Sequence, residues 1–412
     1  MADSFVKIAL EERIDSFNSI KVEKNIYREL DGKGVVPVEL DARQLRYISS
    51  AGLRLLLRLY KSYPAMKITG VNDEVYHILT LTGFTEFLTV EKAYRVVSLE
   101  NCKAIGRCAG GALYRLLPDS LLRLCRGSDP LDRIEHERKA ARIALVLGIP
   151  TAISCDVVKV VDAEGSGVGF GAVYQLPDAR SFSEILAEQP DQSDRCVSEF
   201  AGMLKQMHAT EAPPGRLPDM KETALRQAAL LQNLLPEEAG GKLLSLLREV
   251  PDGNHMLHGD FHTKNLLLQK DSVLLTDMGT LSVGHPVFDL GQIYAALIGW
   301  CESDPGQSER WQCFDFETGR QFWRRVLAAF LGTDDPQKLK AAEDGARIIG
   351  YTRLLSGSVG GIYPEADQTS LDGWTNALLQ LLGSVDSCLI NPFPVSDGAA
   401  LSFSPEEAHC IQ

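Results

Sequence analysis

The sequence predicts an α/β sheet-and-helix domain followed by a two-lobed α+β domain, and three observations carry that reading. Over the first hundred residues, short strands with alternating apolar positions are separated by stretches of helical apolar spacing. Near residues 98–103 this pattern stops and restarts. Beyond it, strands follow one another across glycine-bearing turns, and after Asp178 nearly everything has helical spacing except the region around residues 258–280.

Taken in order, FVKIAL and VVPVEL are strands, and IKVEKNIYREL between them places Ile20, Ile26 and Leu30 on one helical face. AGLRLLLRLYKSY is a second helix, MKITGV a strand, and DEVYHILTLTGF a third helix with Asp73 near its start. Strands joined through helices of this length imply a parallel-type sheet. From Ala104, AIGRCAGGALYRLLPDSLLRLCRG reads as a three-strand meander. A helix over residues 131–147 and the strands GIPTAISCDVVKV and GFGAVYQL complete a small mixed lobe. The boundaries expected are therefore 1–99 for the first domain, 100–177 for the small lobe and 178–412 for the helical lobe with its tail.

The chain of 412 residues, 45% hydrophobic, is long enough for substantial cores. No apolar run approaches the roughly 18 to 20 residues that cross a bilayer, and the early acidic residues of MADSFVKIALEERIDSF argue against a secretory signal, so a cytoplasmic protein is expected. Nine scattered cysteines, with no CxxC pair and no zinc spacing, read as reduced and structural. The net charge of −13 is uneven: residues 1–99 hold 14 Lys and Arg against 13 Asp and Glu, so the acidic excess lies in the remainder. Such a surface repels nucleic acid and anionic membranes, and neither is an expected partner.

The densest chemistry is HGDFHTKN, residues 258–265. After Asn265, LLLQKDSVLL reads as strand, two-residue turn and strand, which brings Asp277 back beside the start of the motif. Phosphoryl transfer needs a carboxylate to orient an attacking hydroxyl and oxygen ligands to hold Mg²⁺ on the nucleotide phosphates. Asp260 suits the first task, Asn265 and Asp277 the second. The competing reading makes Asp260 and Asn265 turn formers and Asp277 a strand end.

With the following GHPVFDL, this combination resembles the aminoglycoside phosphotransferase and choline kinase group of protein-kinase-like enzymes, over about residues 103–390. The resemblance implies a two-lobed fold with ATP in its cleft, Asp260 as catalytic base, and Asn265 and Asp277 as Mg²⁺ ligands. His258 and Asp289 resemble supporting residues. Upstream, Gly106, Gly110 and Gly111 lie between two strands where backbone N–H groups can approach phosphate, as a ligand-free tight hairpin also would. Arg123 stands where the family usually has a phosphate-contacting lysine. Glu137 is its implied ion-pair partner, with Glu135 as a rival, and AVYQL, through Val173 and Gln175, resembles the adenine-binding hinge. Two positions depart from the family: arginine is a planar fork where an ammonium is usual, and Gly279 in TDMGT replaces a frequent second acid.

In the first domain, RIDSFNS and YISSAGLRLLL resemble the STAS domain of anti-sigma factor antagonists and sulfate transporter tails, over about residues 5–98. Ser50 aligns with the serine that a partner kinase phosphorylates in the antagonists, while Ser49 replaces the preceding Asp and Asp15 matches an acid of an earlier turn. An ordinary helix N-cap is the competing reading of Ser50. Trp300, Trp311, Trp323 and Trp374 read as core and not as a cation cage.

The function expected is an ATP- and Mg²⁺-dependent phosphotransferase acting on the hydroxyl of a small polar molecule (aminoglycoside, amino alcohol or sugar-like), with a STAS-like module that regulates it or binds a protein partner. The alternative is a catalytically weak nucleotide-binding scaffold acting through that module.

Overall fold

A computed structural model describes residues 6–34, 36–108, 111–363 and 366–389. The chain divides into two compact units, one formed by residues 1–103 and 156–172, the other by residues 104–155 and 173–412.

In the first unit, strands β1 (Val6–Ala9) and β2 (Arg13–Ile14) precede helix α1 (Ser19–Leu30), β3 (Val38–Asp41) and β4 (Tyr47–Ile48). Helix α2 (Ser50–Ser62), β5 (Lys67–Val71), helix α3 (Asp73–Leu81), β6 (Thr89–Lys92) and β7 (Arg95–Ser98) follow. The main sheet runs β1-β3-β5-β6 with every neighbouring pair parallel, as the strand–helix alternation predicts. Its core is formed by Ile8, Leu40 and Ile68 from the sheet, Val22, Ile26 and Leu30 from α1, and Leu55, Leu56 and Leu59 from α2. Ile20, which the sequence placed on the same face as Ile26 and Leu30, is instead exposed, because Val22 takes the inward position on the first turn. Strand β7 pairs in parallel with the strand Asp156–Val161, within the second segment of this unit.

The second unit opens with the expected meander, β8 (Lys103–Cys108), β9 (Gly111–Leu117) and β10 (Ser120–Cys125), and helix α4 (Pro130–Val146). Helices α5 (Phe182–Glu188), α6 (Ser193–Ala209), α7 (Met220–Leu230) and α8 (Glu237–Glu249) come before the polar motif, and α9 (Val287–Leu297), α10 (Gly306–Gln312), α11 (Phe316–Leu331), α12 (Pro336–Val359) and α13 (Gln368–Leu382) after it. Helix α9 is buried along its whole length and crosses α12 at very short range. A Cβ on Gly291 would lie 2.4 Å from Ile349, and one on Gly350 would lie 2.9 Å from the Gly291 carbonyl, so only glycine permits the crossing. Trp323 and Trp374 belong to this core, as read from the sequence.

Among the described residues, no helix is long and apolar enough to cross a membrane. Cys102, Cys125, Cys196, Cys301, Cys313 and Cys388 are free thiols.

Candidate active site

The 258–265 motif leaves a short strand, Met256–Leu257, and turns into the hairpin Leu266–Gln269/Ser272–Leu275, whose strands pair antiparallel with Leu266 opposite Leu275. Lys270 takes the left-handed conformation at the turn, with φ of 54°. The register brings the Thr276 N–H onto the Asn265 carbonyl at 3.0 Å, so the chain returns next to the motif one residue before Asp277.

Asp289, at the N-terminal end of α9 and fully buried, organises the start of the motif. Its Oδ2 accepts from the His258 N–H at 2.9 Å and lies 3.0 Å from His208 Nε2, and its Oδ1 accepts from the Gly259 N–H at 2.8 Å. Burial alone would raise this carboxyl. The hydrogen bond and charge of His208, with those N–H groups, outweigh burial and hold it below the ordinary range. The His258 ring is buried too. Its Nδ1 accepts the Asp260 N–H at 3.2 Å, so Nε2 carries the proton and donates to the Thr276 carbonyl at 3.0 Å. Burial lowers its pKa and keeps it neutral. His258 is thus a brace between the two ends of the hairpin. Between it and Asp260, Gly259 has φ of +76°, and a Cβ there would meet the Thr280 carbonyl at 2.5 Å.

The Asp260 carboxylate is half-buried and gripped mainly on one oxygen. Oδ1 accepts from Gln292 Nε2 of α9 at 2.6 Å and lies 3.5 Å from Arg353 Nη2 of α12. Arg353 also donates through Nη1 to the Gly259 carbonyl at 2.8 Å. Oδ2 lies 3.5 Å from His262 Nε2 and 3.4 Å from Asn265 Nδ2, which donates more closely to the Asp260 carbonyl at 2.9 Å. Burial pushes this carboxyl upward, but His262 and Arg353 outweigh it and set it well below the usual carboxylate range. Asp260 is therefore ionised at neutral pH. It can orient a hydroxyl before chemistry and take its proton late.

Asp277 has a left-handed backbone, φ 59°. Its Oδ1 lies 2.9 Å from Arg123 Nη1. The same guanidinium bonds Glu137 of α4 through Nη2, and the other Glu137 oxygen accepts from the Tyr174 hydroxyl at 3.0 Å. Burial opposes the Arg123 charge, but Asp277 more than compensates and the group stays protonated. Glu135 pairs instead with Arg138, at 3.0 Å.

Asn265 and Asp277 present an amide oxygen and a carboxylate, the hard donors that suit Mg²⁺. Among the described residues, no group of three or more His, Cys, Asp or Glu could hold a metal, so such an ion would draw its remaining ligands from phosphate and water. The donor set fits a nucleotide-borne cation.

Gly111 is explained by packing: a Cβ there would lie 1.8 Å from the Leu124 carbonyl on the paired strand. Gly106 is exposed, with nothing within 4 Å of where a Cβ would stand, and Gly110 lies outside the described residues. In the hinge stretch, the Val173 carbonyl already accepts the Cys155 N–H at 2.8 Å, and Gln175 is exposed. At Gly279 an added Cβ would come no closer than 4.0 Å to Asp277, so space does not demand glycine.

Sequence reading missed Gln292, Arg353 and Tyr174, which reach the site from 32, 93 and 37 residues away from their partners. It also placed Trp311 in the core. Instead the ring is half-buried, 4.9 Å from that of His262 and with Lys264 Nζ 5.1 Å from its centroid. In the first unit, Ser49 is the N-cap of α2, its Oγ accepting the Ala51 N–H at 3.2 Å, while Ser50 is the exposed first helical residue. Capping thus belongs to the neighbour of the residue to which it was assigned.

Residues 109–326 match the family model described as the phosphotransferase enzyme family, and residues 2–97 match that of the STAS domain. Among solved structures, the chain is similar to an ADP-bound aminoglycoside phosphotransferase, APH(2'')-Ib, at 16% identity over 75% of this chain and 97% of that one, TM-score 0.45. It is also similar to a choline/ethanolamine kinase family protein from Mesorhizobium loti, at 15% identity over 68% and 87% of the two chains, TM-score 0.44. A gentamicin complex of APH(2'')-IIa shows 15% identity over 76% and 97%, TM-score 0.44. No curated protein matches.

Proposed function

The chain belongs to the phosphotransferase enzyme family, whose model covers more than half of it, and on that premise we propose that it transfers the γ-phosphoryl group of ATP, with Mg²⁺, to a hydroxyl of a small polar molecule such as an aminoglycoside, amino alcohol or sugar-like compound. The observation that carries this reading is the Asp260 carboxylate, fixed through Oδ1 by Gln292 with Arg353 nearby, and next to Asn265.

In this reading Asp260 orients the acceptor hydroxyl and receives its proton as the phosphorus–oxygen bond forms. Asn265 and Asp277 would hold the metal, which would offset negative charge on the nucleotide phosphates. Arg123, fixed by Glu137, meets the phosphates. Exposed Gly106, with open space where a Cβ would stand, would let the backbone of its strand approach them, and the backbone at Gln175 remains the hinge contact for adenine. Val173 serves there by packing, since its carbonyl is engaged. Asp289 and His258 position the loop without touching substrate. The STAS domain is the module through which a protein partner would act, with exposed Ser50 as its candidate phosphorylation site.

Label from γ-labelled ATP should appear in a small molecule from a pooled metabolite and aminoglycoside mixture, and Asp260→Asn should abolish it. A nucleotide-sensing scaffold is the second reading, favoured by the ion pair that engages Asp277. Bound ATP with no transfer to any acceptor would establish it over the first.

A further inference from the structure

We infer that Arg123 competes with the divalent cation for Asp277, so that metal enters this site together with nucleotide phosphate and only weakly without it. The inference rests on the reading of Asn265 and Asp277 as metal ligands. It begins from the shape of a guanidinium: two terminal nitrogens in one plane can serve two carboxylates at once, which a single ammonium does less well. Arg123 uses that fork fully, with Nη2 on Glu137 and Nη1 2.9 Å from Asp277 Oδ1.

Glu137 is an anchor with no slack. It is buried, and its second oxygen is held by Tyr174. The guanidinium is therefore tethered on one side and closes on Asp277 with the other. A cation approaching Asp277, whose side chain is partly exposed, meets a fixed positive charge already bonded to its ligand, and like charges at that range repel. Phosphate changes that balance in two ways. Arg123 Nε is buried and has no hydrogen-bond partner among the described residues, so the group retains a donor that a phosphate oxygen can satisfy. Phosphate oxygens also supply further ligands beside Asn265 and Asp277, where the described residues hold no group of three or more His, Cys, Asp or Glu that could bind a metal. Drawing Arg123 toward phosphate releases Asp277, and the same phosphates complete the metal shell. By linkage, metal must then tighten nucleotide as much as nucleotide tightens metal.

The test is Mn²⁺ titration of the full chain, followed by water-proton relaxation, which separates protein-bound Mn²⁺ from Mn²⁺ on free ADP. Without nucleotide, Arg123→Met and Arg123→Lys should each bind Mn²⁺ about tenfold more tightly than the native chain, and saturating ADP should tighten the native chain more than either variant. Arg123→Lys retains a cation for Glu137 and guards against a result caused by misfolding, which a thermal unfolding scan checks. Unchanged Mn²⁺ affinity in both folded variants overturns the inference alone. No Mn²⁺ bound by the native chain even with ADP overturns it together with the assignment of Asn265 and Asp277 as ligands.

Discussion

Gln292 donates through Nε2 to Asp260 Oδ1 at 2.6 Å, while its own Oε1 is buried without a hydrogen-bond partner among the described residues. Removing this side chain therefore takes away a donor to Asp260 and an unsatisfied acceptor at once. Gln292→Leu should lower kcat by about 10²-fold, because the base loses its tether. It should also lower stability, since the Asp260 carboxylate loses its closest donor, with partial relief because the unsatisfied Gln292 acceptor disappears too. Steady-state kinetics and urea unfolding on one preparation check both. An unaltered kcat would remove Gln292 from the machinery.

Arg353 grips the same base by a second route, through the Gly259 carbonyl at 2.8 Å. Arg353→Lys keeps the charge but loses the fork, so transfer should fall by about tenfold or more. Native-like rates in the lysine variant would mean that charge alone suffices.

Gly259→Ala places a Cβ 2.5 Å from the Thr280 carbonyl on a backbone of positive φ. The strained conformation should cost about 1 kcal/mol, with the contact adding to it. The shift in denaturation midpoint measures the loss. A neutral result would show that the 258–280 segment relaxes freely.

His258 and His285 give stability a pH dependence of definite sign. Burial lowers both, His285 to about 4, from an ordinary value of 6.5. Between the folded and unfolded values the unfolded chain binds more protons, so stability falls as pH drops below about 6.5, for His285 until about 4. Unfolding temperature should decline from pH 7 to pH 5, and His285→Asn should flatten that decline. A slope indifferent to the substitution would rule His285 out as a contributor.

In the STAS domain the capping assignment separates two adjacent serines. Ser49→Ala should destabilise α2 by about 1 kcal/mol, and Ser50→Ala by well under that. Hydrogen exchange over residues 50–62 in the full chain distinguishes them. Equal effects would show that the Ser49 bond to Ala51 carries no stability.

The parallel sheet of the first unit was legible because every strand and helix carries its own periodicity, and buried Ile8, Leu40, Ile68 and Leu56 stand where the pattern puts them. The hairpin after Asn265 was legible for the same local reason. Gln292 and Arg353 were not: their meaning comes from a helix crossing, and nothing near Gln292 in LGQIY or near Arg353 in TRLL distinguishes them from ordinary helix residues. Trp311 misled because an aromatic in a helical stretch has core as its commonest fate. Ser49 and Ser50 were confused because a cap is set by where the backbone turns helical, a shift of one residue that composition does not resolve.

The glycine crossing at Gly291 and Gly350 lies one residue from Gln292 and three from Arg353. Both grips on the Asp260 carboxylate are thus mounted next to a single joint. A methyl group added at that joint would loosen the two grips together while leaving every atom of the 258–265 loop chemically intact. In such a protein the sequence of the reactive loop is a poor witness to whether the enzyme works. The witness to consult is a pair of small residues, in two helices, that lie outside that loop.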